Sequence, residues 1–143
     1  MPVSTSVSVT PESAFTCHTA HFATRWLPPT TAIVAAHGEI DAANAIDLVD
    51  YALRDADRMN GLVIDLTGIK FFGSAGFSAL DALNERCAAH GINWAIAPSK
   101  AVSRLLRICD PNTTLPVHQG LDSALGAVTG EPRALLQLVS EPS

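Results

Sequence analysis

Residues 62–80 read LVIDLTGIKFFGSAGFSAL, and two patterns meet inside that stretch. LVIDL at 62–66 is an almost unbroken apolar run, the mark of a strand buried on both faces. From Ser74 onward Phe77, Leu80, Leu83, Asn84 and Cys87 recur on one side at helical spacing, and His90-Gly91 supplies a helix stop. A buried strand leading into a helix is the repeating unit of an α/β fold, in which crossovers join neighbouring strands. Ser74 stands at the junction, between small residues, and its role is the functional question.

Working outward, Phe15, Cys17, Thr19, His21 and Ala23 alternate with more polar or small neighbours, which predicts a strand over Phe15–Leu27. Pro28-Pro29-Thr30 breaks it, and TAIVAAH at 31–37 predicts a second strand in an antiparallel hairpin. GEID at 38–41 ends that strand, with Asp41 suited to cap a helix over 42–58 through its carboxylate. In that helix Ala42, Ala45, Ile46, Val49 and Leu53 form the apolar stripe, while Asp47, Asp50, Arg54 and Asp57 face water. INWAIA at 92–97 predicts a further strand, and Pro98-Ser99 leads a helix with Val102, Leu105, Leu106 and Cys109 on one stripe and Lys100, Arg104 and Arg107 on other faces. LPVH at 115–118 reads as a short last strand and LDSALGAV at 121–128 as a final helix.

The expected architecture is α/β: a mixed β-sheet of four to five strands with about four helices packed mainly on one face. It occupies residues 14–130, between a flexible leader at 1–13 and a tail at 131–143.

The 143 residues, 48% hydrophobic and 16% charged, suit one compact domain. A net charge of −5 argues against binding a phosphate backbone, which needs a stripe of Lys and Arg, so no nucleic-acid partner is expected. No apolar stretch reaches the roughly 18–20 residues that span a bilayer, and MPVSTSVSVTPES lacks the basic start and apolar middle of a secretory signal. A cytoplasmic protein with no membrane partner is the expectation. Cys17, Cys87 and Cys109 show no CxxC spacing, and the five histidines form no HExxH pattern, so neither a metal nor a cofactor is expected.

For Ser74, a hydrolase elbow needs glycine two residues earlier, where Phe72 stands, and nothing marks His118 or Asp122 as triad partners. No lysine follows Gly76, which removes a Walker-type phosphate loop. The chain is therefore expected not to be an enzyme. Serine is a favoured helix cap, contributing about 1 kcal/mol over alanine. A serine exposed at a helix start is equally well placed to be modified and read by a partner.

GEID at 38–41 and the quoted 62–80 stretch, separated by one helix, resemble the STAS domain of bacterial anti-sigma-factor antagonists. The resemblance extends over residues 30–128 and includes the Val-x-Arg-Leu-Leu helix at 102–106. It implies a STAS-like single domain, with Ser74 matching the family's phosphoacceptor, Gly76 its glycine and Asp41 the aspartate of the first motif. Gly73 stands where the family usually has aspartate, and Ala75 where it has a second Ser or Thr.

The function implied is a switch without catalysis. The unmodified domain binds an anti-sigma factor, often itself a serine kinase of the histidine-kinase-like ATPase fold, and so releases a sigma factor for transcription. Asp41, Asn44, Phe72, Gly73, Ala75, Gly76 and Phe77 are the expected partner-binding residues, and a homodimer is compatible with the family. Among Phe71, Phe72 and Phe77, one exposed aromatic anchor and two core residues are expected. Cys87 and Cys109 end two predicted helices and are expected as buried free thiols, the alternative being a redox disulfide if their Cα atoms approach within about 7 Å. The alternative is a STAS subunit of a transport or stress-signalling assembly, or a sensor of a small anionic ligand, without a phosphoswitch.

Overall fold

A computed structural model describes residues 13–17 and 19–130; the expected leader at 1–13, apart from Ser13, which opens the first strand, and the tail at 131–143 lie outside them. A five-stranded sheet carries its strands in chain order. They are β1 (Ser13–Cys17), β2 (Ala20–Leu27), β3 (Thr31–Ile40), β4 (Gly61–Phe72) and β5 (Asn93–Ala97). β1, β2 and β3 pair antiparallel, whereas β3, β4 and β5 pair parallel. The helices are α1 (Ala45–Leu53), α2 (Ser74–His90), α3 (Lys100–Cys109) and α4 (Leu121–Thr129).

Period-two alternation divides the sheet's two faces. Phe22, Val34, Leu62, Ile64, Leu66 and Ile96 point to one side, where they pack with Leu48 and Tyr51 of α1, Leu80 and Leu83 of α2, and Val102 and Leu106 of α3. Ile33, Val63, Ala95 and Ala97 point to the other, against Ala124, Leu125 and Val128 of α4. Three helices on one face and one on the other bury β4, which lies between β3 and β5, on both sides, as the LVIDL run requires; Leu62, Val63 and Ile64 are each 0% exposed. Each such side chain contributes roughly 1.5–3 kcal/mol relative to exposure.

Four departures from the sequence reading have local causes. The expected strand over Phe15–Leu27 is a hairpin, in which Cys17 pairs with Ala20 and Thr16 with His21. The reversal changes the phase of the alternation: cross-strand partners share a face, so the buried residues of β2 are Ala20, Phe22 and Thr24, and His21 and Ala23, expected in line with Phe15 and Cys17, face the other way. GEID does not end the second strand: β3 runs on to Ile40, and β4 runs on to Phe72 beside it. From the Ala35–Asp65 pair to the Ile40–Phe72 pair, β3 advances 40 − 35 = 5 residues and β4 advances 72 − 65 = 7, the excess taken up in two bulges. At the first, the Asp65 carboxylate accepts from the Thr67 N–H at 3.0 Å and from the Thr67 hydroxyl at 2.7 Å.

The helix expected over 42–58 is confined to Ala45–Leu53, with a separate 3-10 turn at Ala56–Arg58. LPVH makes one bridge, Val117 to Ile96, rather than a strand. Among the described residues, no helix is long and apolar enough to cross a membrane.

Gly38 permits the second bulge. Its φ is +102°, and a Cβ there would lie 2.1 Å from the Thr19 carbonyl oxygen, which accepts the Glu39 N–H. Gly38→Ala should lower the unfolding free energy by about 1–3 kcal/mol in urea denaturation. An unchanged midpoint would contradict this account of the bulge.

Candidate functional site

The extension of β3 and β4 beyond β5 carries two helix starts to the same edge of the sheet. Past Ile40, the chain closes a turn before α1. The Asn44 Oδ1 accepts the Asp41 N–H at 2.9 Å, the Asn44 amide group donates to the Glu39 carbonyl at 3.0 Å, and the Asp41 carboxylate accepts the Ala43 N–H at 2.9 Å. Asp41 therefore shapes the turn instead of capping the helix, whose N-cap is Asn44. Past Phe72, the Gly73 N–H donates to the Ile40 carbonyl at 2.9 Å, which ties the start of α2 to the end of β3.

Ser74 is the first residue of α2, and Gly73 is its N-cap. The helix-cap reading of Ser74 is thus corrected: no side chain caps α2, and among the described residues the Ser74 hydroxyl has no hydrogen-bond partner. It is exposed, with no acidic residue in the first turn of its helix. A free hydroxyl beside unsatisfied helix N–H groups can accept a phosphate without local electrostatic penalty.

The expected partner-binding residues separate into surface and support. Asp41, Gly73, Ala75 and Phe77 are partly exposed and join Ser74 at the surface. Asn44 is 0% exposed and Phe72 5%, while Gly76 is buried, so these three are corrected from contact residues to supports. A Cβ on Gly76 would come within 2.5 Å of the Phe72 ring, so the first turn of α2 can rest on that ring only with glycine there.

Two surface residues were missed in the contact set. Phe71 is 52% exposed and Ile46 59%, although Ile46 was expected on the core stripe of its helix. A Cβ on Gly73 would lie 3.5 Å from the Phe71 ring, which places that aromatic alongside the serine turn. Strand alternation could have found it: with Phe72 facing the core, Phe71 must face away. One exposed phenylalanine, with Phe72 buried and Phe77 packed against the core, is the division expected from the sequence.

Of the expected pair of buried free thiols, Cys87 is buried and Cys109 only partly so, and the two are not bonded to each other. Cys87 and Cys109 are free thiols, and burial pushes the Cys87 thiol up to about 11, leaving it protonated and inert at neutral pH.

The chain belongs to the STAS domain family, whose model matches residues 10–124. Osmosensory protein A of Mycobacterium tuberculosis is 34% identical over 116 residues, covering 76% of this chain and 73% of that protein. Anti-sigma-F factor antagonist RsfA of the same species is 36% identical over 99 residues, covering 66% of this chain and 77% of its own. Among solved structures, an anti-sigma factor antagonist from Mycobacterium paratuberculosis superposes with a TM-score of 0.68 at 28% identity, covering 77% of this chain and 94% of that one. The anti-sigma factor antagonist SpoIIAA in its unphosphorylated form shares the fold, with a TM-score of 0.64 at 13% identity over 76% of this chain and 96% of that one.

The two glycines of the serine turn should respond oppositely to substitution. Gly76→Ala should cost about 1–3 kcal/mol by overpacking against Phe72. Gly73 has φ −84° and only ordinary contacts at its Cβ position, so Gly73→Asp should stay within about 0.5 kcal/mol of wild type. Urea denaturation of both variants checks this, and equal losses would refute the assignment of distinct roles.

Proposed function

We propose that this STAS domain is an anti-sigma-factor antagonist whose docking surface is the Ser74 edge. The observation that carries the reading is the free, exposed Ser74 hydroxyl at the first residue of α2, beside the half-exposed ring of Phe71. The names of the relatives support it, since RsfA and the paratuberculosis protein are described as antagonists of anti-sigma factors. The domain acts by occupying its partner, which frees a sigma factor for transcription, and not by chemistry on a substrate.

Phe71 and Ile46 supply the apolar contact, and the Asp41 turn and the start of α2 supply polar groups around it. A phosphate on Ser74 adds about −1.5 to −2 charges. The α2 terminus tolerates that charge, so the switch operates at the interface, where a dianion pressed against apolar partner groups must be desolvated. The kinase is the anti-sigma factor itself or an associated serine kinase. With Gly73 in the position usual for aspartate, phosphate transfer is weaker than binding, and Gly73→Asp raises it.

Calorimetric titration with anti-sigma factors of the source cell, expressed individually, tests the reading. At least one should bind wild type and Ser74→Ala similarly. Ser74→Glu and Phe71→Ala should each bind at least about tenfold more weakly, which corresponds to about 1.4 kcal/mol. Equal binding by all four forms would remove the Ser74 edge from the interface, and no binding by any factor would remove the function.

A further inference from the structure

α3 carries an arrangement that the proposed Ser74 docking surface does not use. Lys100, Arg104 and Arg107 lie at i, i+4 and i+7, which places all three on one stripe of the helix. All are exposed, and none makes a salt bridge among the described residues. By contrast, Arg54 and Arg58 pair with Asp55 and stack over Tyr51 and Trp26. In a chain of net charge −5, three of the six described Lys and Arg residues without a salt bridge thus share one stripe of one helix, the others, Arg25, Lys70 and Arg86, lying singly on β2, β4 and α2.

They border a groove of about 430 Å³ that Ser103 and Gln119 also line. The groove continues past Arg107 toward the Asp110 carboxylate, the acidic group at that end. It is already engaged, with Oδ1 accepting from the Thr114 N–H and hydroxyl at 2.9 and 2.7 Å and Oδ2 from the Leu115 N–H at 3.1 Å. Burial opposes its ionisation, but those hydrogen bonds prevail and hold the carboxyl below its ordinary value.

Lys100 adds an independent sign. It is the first residue of α3, where the helix dipole favours an acid, and the first turn holds none. Its charge therefore gains nothing from its own helix and is left to face solvent or a bound anion.

We propose that the α3 groove is a second docking surface, which takes a linear acidic segment of a partner protein. The shape favours this occupant over a compact phosphate. The stripe from Lys100 to Arg107 is about 10 Å long, the span of three extended residues. The Ser99 hydroxyl accepts the Val102 N–H at 3.2 Å, so one of the helix-end donors that would cradle a phosphate is used internally. A nucleic acid would extend beyond the stripe into the field of an otherwise acidic molecule.

Fluorescence anisotropy of a labelled octaglutamate peptide with the full chain at low salt tests the proposal, with inorganic phosphate and an eight-residue thymidine oligonucleotide as competing arms. Saturable peptide binding should weaken about tenfold or more in K100Q/R104Q/R107Q, while R54Q/R58Q leaves it unchanged. Arg104→Glu alone, expected to weaken binding as well, serves if the triple variant unfolds. No peptide binding, equal affinity in the groove variants, displacement by phosphate at equal concentration, or tighter binding of the oligonucleotide would each overturn it.

Discussion

The buried carboxamide of Asn44 governs how the functional edge is built. It accepts the N–H of Asp41 and donates to the carbonyl of Glu39, so one side chain, 0% exposed, fixes both the end of β3 and the approach to α1. The Ile40 carbonyl, left between those two bonded residues, accepts the N–H of Gly73. Two helix starts that are distant in sequence are thereby held against one strand end. A buried amide that lost these bonds would retain its desolvation cost, so the arrangement is enforced by penalty as much as by attraction.

From this constraint the properties of the serine turn follow in order. Two bulges carry β4 seven residues past its last pairing with β5, while β3 advances five beside it, and the serine projects from the edge instead of lying in the groove between strands. Phe72 turns inward to support α2, Phe71 turns outward beside Gly73, and Gly76 allows the helix to close on the Phe72 ring. Ser74 is left with no structural duty.

Strong periodicity made much of this legible in the sequence. LVIDL could be read as a doubly buried strand because no residue among Leu62, Val63 and Ile64 has a solvent face to announce with a polar side chain. His90-Gly91 and Pro98-Ser99 marked helix limits by their own backbone chemistry, with Gly91 at φ +67° and Ser99 capping Val102. The bulges were not legible, because an inserted residue leaves composition unchanged and only shifts which partner it faces. Nor did residue type separate Asn44 from Asp41: both are turn-forming and polar, and only the tertiary structure makes one a buried clamp and the other a half-exposed surface group. Ile46 misled for the opposite reason, since helical spacing placed it near the core stripe while the short α1 leaves it 59% exposed.

The central claim is that partner recognition occurs at the edge where β3 and β4 deliver α1 and α2. Backbone amide NMR during titration with a cognate anti-sigma factor tests it most directly. The account predicts that the largest shift changes and line broadening fall on residues 41–46 and 71–78. Changes confined to β1, β5 or α4, with those two segments undisturbed, would contradict it.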